Sequence, residues 1–244
     1  MPANVTVVQI SDCHLQRESN SGDGSPDEAL RRAIELATAA APDVVLLTGD
    51  IADDASTEAY ERVAAAVAVL GVPVLAIPGN HDEPAAVAAT FGSVADYEIG
   101  GWRLCMVDTT IPATIAGSID VAALLHRLGP IDGPPTVVVL HHPPITTSTH
   151  PWFQLDGAQQ LVAALNARGD VRVVVSGHLH EAFNVVLGDV SYIGCSSSWY
   201  SLKHRNHEYM LDNGHVGALA LSLTGDGTFS WRRLPDPNET STLL

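Results

Sequence analysis

Basic residues are scarce in this chain. Twelve Lys and Arg face 28 Asp and Glu over 244 residues, leaving a formal net charge of −16. Such a surface has no basic stripe for nucleic acid or anionic lipid, which argues against broad binding to either. The three cysteines, Cys13, Cys105 and Cys195, are too few and too scattered for a disulfide framework. No apolar run approaches the roughly 20 residues of a membrane helix. The longest, Val63 to Leu70, is half alanine and reads as a helix of a water-soluble protein. Met1-Pro2-Ala3-Asn4 carries no basic segment, so no signal peptide is expected and a cytoplasmic location is. Repeats and low-complexity linkers are also missing. Charged residues make up 16% and hydrophobic residues 46%, which excludes wholesale disorder, and the length suffices for a sizeable core.

What is abundant is histidine, with eleven residues. Short β-branched runs alternate with helical patterns through three quarters of the chain. Val5–Ile10, Val44–Leu47, Val74–Ile77, Thr136–Leu140 and Val171–Val175 read as strands. Ser25-Pro26-Asp27-Glu28 reads as a helix start, with serine as cap, proline in the first turn and glutamate closing a capping box. Leu30, Ala33, Ile34 and Ala37 then form a helical stripe, as do Val63, Ala66, Val67 and Leu70. Residues 121–128 and 156–168 read as further helices. Runs 182–187, 190–195, 216–223 and 228–234 read as strands of an antiparallel meander, with a loose tail over 235–244. The expectation is one domain over residues 1–234, an α/β sandwich of sheets flanked by helices.

Each early strand runs into a polar cluster. The clusters are Ser11-Asp12-Cys13-His14, Thr48-Gly49-Asp50, Gly79-Asn80-His81-Asp82, His141-His142-Pro143-Pro144 and Gly177-His178-Leu179-His180. Strand carboxyl ends gather along one edge of an open α/β sheet, where ligands bind. Strand alternation would turn Asp12 and His14 to one side with Cys13 opposite, and likewise His178 and His180 with Leu179 opposite. Mixed imidazole and carboxylate donors suit Zn, Fe, Mn or Co better than Ca or Mg. Seven such donors are too many for one tetrahedral ion and about right for two ions that share a carboxylate.

In order, Asp12-x-His14, Gly49-Asp50, Gly79-Asn80-His81-Asp82, His141-His142-Pro143-Pro144 and Gly177-His178-Leu179-His180 resemble the calcineurin-like metallophosphoesterase superfamily. The Asn-His-Asp and His-His-Pro-Pro forms resemble its class III cyclic nucleotide phosphodiesterases and the related glycerophosphodiesterases. The resemblance implies a four-layer α-β-β-α sandwich of two mixed β-sheets. It implies one transition-metal ion on Asp12, His14, Asp50 and His180, and a second on Asp50, Asn80, His141 and His178, with Asp50 bridging. His142 is then expected behind the ligands. His81 is expected to contact the phosphate and, with Asp50, to carry the catalysis. The implied reaction is hydrolysis of a small phosphodiester by in-line attack of a hydroxide shared by the two ions. The two cations would place positive potential inside an acidic protein. Relatives of this kind often form homodimers.

The segment 145–156 adds candidate substrate contacts beside Asn80, His81 and His142: Trp152 or Phe153 stacking on a base, and His150 reaching a phosphate. His204 and His207 read as solvated loop residues, and Cys105 and Cys195 as core. A phosphomonoesterase or protein phosphatase of the same superfamily is the competing enzyme reading. Those phosphatases carry an arginine soon after Gly-Asp and a glutamate after Asn-His. Here Ile51-Ala52-Asp53-Asp54 and Asp82 stand at those places. A non-catalytic metal-binding scaffold is the competing reading from another class, and it would be expected to have lost ligands that this chain retains.

Overall fold

The computed structural model describes residues 4–20 and 22–235. The elements run β1 (Val5–Ile10), α1 (Pro26–Ala40), β2 (Val44–Thr48), α2 (Thr57–Ala68), β3 (Val74–Ile77), α3 (Pro84–Phe91), β4 (Tyr97–Ile99) and β5 (Trp102–Met106). There follow β6 (Gly117–Ser118), α4 (Val121–Leu128), β7 (Thr136–Val139), β8 (Leu155–Asp156), α5 (Ala158–Asn166) and β9 (Val171–Ser176). The chain ends in β10 (Phe183–Leu187), β11 (Val190–Gly194), β12 (Ser201–Arg205), β13 (Glu208–Asp212), β14 (Ala218–Leu223) and β15 (Phe229–Leu234).

The central strands are apolar on both faces, and that composition dictates layers. Along β1, Val7 faces one cluster of buried residues and Val8 another; along β2, Leu46 and Leu47 divide the same way. Two mixed sheets result, in the orders β15-β14-β1-β2-β3 and β10-β11-β9-β7-β5-β4. Between them lie Val7, Leu46, Trp102, Met106, Val139, Val175 and Leu221. Leu30, Ala33 and Val63 cover the outer face of the first sheet, and Leu124, Leu161 and Leu165 that of the second. This is the α-β-β-α sandwich. Among the described residues no helix is long and apolar enough to cross a membrane.

Local signals explain the helix starts in part. Ser25 caps α1 by accepting from the N–H of Glu28 at 3.3 Å. The second half of the capping box does not form. The Ser25 N–H already donates to the Gly22 carbonyl, and Glu28 turns to Arg31. The helix α3, the strand β4 and the hairpin β12–β13 lie outside the sequence expectations, whereas β5 carries Trp102, expected as a partly buried sheet residue and found fully buried. The carboxyl-terminal strands also correct the expected meander. β10 and β11 extend the second sheet, β14 and β15 close the first, and β12–β13 pairs with neither. Beyond Pro235, the expected loose tail lies outside the described residues.

Gln9 is fully buried on the inter-sheet face of β1. Its amide donates to the Thr48 hydroxyl at 2.8 Å and, across the sandwich, to the Ser176 carbonyl at 3.0 Å. This polar tie joins the two sheets just below their shared rim. Gln9→Ala should lower unfolding free energy by about 1–3 kcal/mol through the lost buried bonds and the cavity. Urea denaturation measures it; an unchanged midpoint would deny the tie any weight.

Candidate active site

The five polar clusters do meet, but not at the edge of one sheet. Three follow β1, β2 and β3 of the first sheet, and two follow β7 and β9 of the second. The sheets touch at this rim: the His178 N–H, after β9, donates to the Asp12 carboxylate, after β1, at 3.0 Å, while the Gly177 N–H bonds the His141 carbonyl of its own sheet at 3.0 Å. A Cβ on Gly177 would lie 2.0 Å from the Ser11 hydroxyl and 2.7 Å from Asp12 Oδ2, so only glycine permits the approach.

The backbone reason for the shared orientation differs from strand alternation. Asp12, His14, Asp50, His178 and His180 all have positive φ, between 47° and 68°. Non-glycine residues seldom adopt this left-handed conformation, and it clusters at functional sites. Cys13 still turns into the core, at 1% exposure, but through a coil rather than an extended strand.

Two groups of donors result. Asp12, His14, Asp50 and His180 present ligand-type atoms within 4.8 Å of one another, all buried. His141, His142 and His178 form a second buried group of the same span. One oxygen, Asp50 Oδ2, lies 3.7 Å from His14 Nε2 of the first group and 3.5 Å from His141 Nε2 of the second. Asn80 Oδ1 is 3.2 Å from the same His141 nitrogen.

Hydrogen bonds behind the rings fix which nitrogen faces inward. His141 Nδ1 lies 2.8 Å from the Thr48 carbonyl, which can only accept, so Nδ1 carries a proton and Nε2 is the nitrogen turned to the site. His14 is set likewise by the Asp53 carboxylate, 3.1 Å from Nδ1. His178 gives Nε2–H to the Trp152 carbonyl at 2.9 Å and keeps Nδ1 for the site. His14 Nε2 and His180 Nε2 face each other at 3.1 Å, while His180 Nδ1 is buried without a partner. Converging lone pairs beside buried carboxylates are the donor set of borderline transition metals, and the residues fit such ions.

Against their burial, Asp50 raises His141 to about 9 and Asp53 raises His14, so ligation at either ring would displace a proton. Burial alone would raise the Asp50 pKa, but the imidazoles of His141 and His14 hold it well below the usual carboxylate range. Asp12 is likewise lowered against its burial by His180. Burial pushes His178 down, towards the neutral ring that ligation requires. Asp82, which accepts the N–H groups of Ile51, Ala52 and Gly79, is raised to about 6 by burial and by Asp50.

The open side is a cleft of about 170 Å³, walled by His14, Asp50, Asn80, His81, Trp152, Phe153, His178, Tyr200 and Tyr209 among others. His81 Nδ1–H donates to the Asp53 carbonyl at 3.0 Å, and among the described residues Nε2 has no hydrogen-bond partner. Trp152 is 44% exposed on this wall. His142 corrects the expectation of substrate contact. It is fully buried, with Nδ1 against the Thr109 hydroxyl at 2.7 Å and Nε2 against the Ile115 carbonyl at 3.0 Å. Burial, then the charge of His141, lowers it to about 3, so it packs behind His141 and His178 as a neutral ring. His150 does not line the cleft; its Nδ1 accepts from the Trp152 N–H at 3.3 Å. His204 is buried rather than solvated, with Nε2 2.8 Å from the Leu179 carbonyl, whereas His207 is exposed. The family resemblance implies a pocket wall from residues 196–207, which here supplies Tyr200, but Tyr200 itself, Asp53 and Tyr209 carry no spacing signal as isolated residues of common types.

Residues 5–182 match the family model of the calcineurin-like phosphoesterases. The chain belongs to this family. Curated relatives of this phosphoesterase include a probable cyclic nucleotide phosphodiesterase of Synechococcus, 32% identical and covering 93% of this chain and 90% of that protein. A 3′,5′-cyclic adenosine monophosphate phosphodiesterase of Pseudomonas aeruginosa is 29% identical, covering 92% and 88%. Among solved structures, a dimetal phosphatase from Danio rerio shares the fold with a TM-score of 0.64 at 13% identity, covering 90% of this phosphoesterase and 93% of that chain.

Gly177→Ala should force the two sheet ends apart, cost about 1–3 kcal/mol through overpacking, and reduce bound metal. Thermal melting and elemental analysis read both effects. A fully metallated, equally stable variant would remove the close approach from the account.

Proposed function

We propose that this phosphoesterase hydrolyses a singly charged phosphodiester, a 3′,5′-cyclic nucleotide in particular, with two transition-metal ions. One observation carries the preference for a diester. Among the described residues no Lys or Arg lines the cleft, while Asp50 lines it and Asp12 and Asp53 stand behind. Beyond the two ions, a monoester dianion would find no guanidinium on the cleft wall for its second charge, whereas a diester carries only one. The names of the curated relatives support the same choice.

The residues divide the work. Asp12, His14, Asp50 and His180 would hold one ion, and Asp50, Asn80, His141 and His178 the other. Mn, Fe, Zn and Co all suit this nitrogen and oxygen set. When bound, such a pair supplies Lewis acidity and makes water acidic enough to deprotonate near neutral pH. Asn80 positions the phosphoryl group from the second cluster. His81, oriented through Nδ1 by the Asp53 carbonyl, turns Nε2 to the cleft and donates to the phosphoryl or leaving oxygen when protonated. The Trp152 ring provides a face for a base.

We read residues 1–234 as one catalytic domain, supported by the single apolar layer shared by both sheets. Cytoplasmic residence is supported by three buried free thiols. A homodimer is supported by the exposed Met210 and Leu211 on β13. The strong acidic balance supports a small-molecule substrate over nucleic acid.

After loading with Mn²⁺, bis(p-nitrophenyl) phosphate should turn over faster than p-nitrophenyl phosphate. The reverse order would transfer the protein to the phosphomonoesterases. Trp152→Ala should raise KM for cyclic AMP about 5-fold or more, the stacking contribution of one base, and leave that for methyl p-nitrophenyl phosphate unchanged. Equal effects on both substrates would remove the base contact. The His178 hydrogen bond uses the backbone carbonyl of Trp152 and survives the change.

A further inference from the structure

Among the described residues the cleft has no lysine or arginine to grip an anion, so its uncharged donors become informative. Beyond Asn80 and His81, the donors on its wall include the phenols of Tyr200 and Tyr209. They are not equivalent. Tyr209 sits on the exposed strand β13, against the Trp152 ring at 5.9 Å between centroids. Tyr200 is half-buried and lies against two candidate ligands, its ring 4.3 Å from that of His180 and 5.7 Å from that of His14. His81 meets the same His14 ring at 4.8 Å. Tyr200 and His81 therefore both contact His14 at the mouth of the first cluster.

The backbone carrying Tyr200 is held to the strand end that supplies Asp12. The Ser197 hydroxyl donates to the Asp12 carbonyl at 2.8 Å and accepts the N–H groups of Trp199 at 2.9 Å and Tyr200 at 3.3 Å. The Ser198 N–H donates to the Ser11 carbonyl at 3.0 Å, and the Trp199 indole donates to the Gly24 carbonyl at 2.8 Å. A mobile wall residue would not need this many anchors. Yet among the described residues no hydrogen-bond partner reaches the Tyr200 hydroxyl, although its backbone N–H is bonded. Holding a ring this firmly while leaving its polar end unpaired in a cleft is how a preorganised donor is built.

We propose that Tyr200 is a catalytic residue, its hydroxyl donating a hydrogen bond to a phosphoryl oxygen of the substrate on the side of the first cluster. A phenol is an uncharged donor near neutral pH. It can stabilise charge growing on that oxygen without adding a cation. Its place in catalysis rests on the phosphodiesterase reading; its grip on a phosphoryl group does not.

Tyr200→Phe removes only the hydroxyl and keeps the ring that packs on His180. In the metal-loaded protein kcat for bis(p-nitrophenyl) phosphate should fall about 100-fold or more, as for loss of one preorganised donor. Inorganic phosphate should bind at least 5-fold more weakly by calorimetry. Metal stoichiometry and melting temperature should stay at wild-type values. Tyr200→His, which retains a ring and an N–H, should recover part of the loss. Unchanged phosphate affinity in Tyr200→Phe would overturn the proposal, as would loss of metal or of melting temperature, since either makes the residue structural. A wild-type protein that fails to cleave diesters, while Tyr200→Phe still weakens phosphate, would sink the phosphodiesterase reading and leave the donor standing.

Discussion

Asp50 is the group around which the architecture turns. Its carboxylate is almost wholly buried, accepts the N–H of His81, and stands between imidazoles from both donor groups. A buried carboxylate is costly unless positive charge or aligned donors offset it. Here the offset comes from His14, on the end of β1, and His141, on the end of β7 in the opposite sheet. The two sheets must therefore close to within hydrogen-bond distance at this rim. Glycine at 177 makes that approach sterically possible, and Gln9 ties the layers just beneath.

The surrounding hydrogen bonds do more than satisfy polar groups. A ring nitrogen bound to a carbonyl or carboxylate behind it must present the other nitrogen forward. Thr48, Asp53 and Trp152 each impose this choice on a different histidine. His142 shows the contrary case, because both of its nitrogens are engaged and none remains for chemistry. Ring histidines of identical sequence character thus divide into ligand-type and bracing roles through their partners alone. The acidic surface and the cation-free cleft belong to the same design. Positive potential would arise only where two ions are held, which confines the attraction for an anion to the reacting centre.

Much of this was legible in the chain. The runs Val5–Ile10 and Val44–Leu47 contain too little polar surface to leave either face in water, so a layered α/β arrangement follows from composition. The ordered Asp, Asn and His clusters after successive β-runs marked the donors, and their order carried the family resemblance. Elements with weak local signals were not legible. The helix α3 has good helix formers but buries only Val87, so it shows no apolar stripe, and β12–β13 pairs with neither main sheet, so hydrophobic periodicity names neither.

Sequence by itself determined the buried layers and the set of groups able to bind metal, because burial periodicity and side-chain chemistry are local properties. Tertiary structure decided the rest. It brought strand ends from two sheets together, set five ligand-type residues in left-handed backbone, and selected the exposed nitrogen of each ring. It also placed Asp53, Tyr200 and Tyr209 at the site. Those outcomes depend on contacts between residues far apart in the chain, and such contacts exist only once the sandwich has closed.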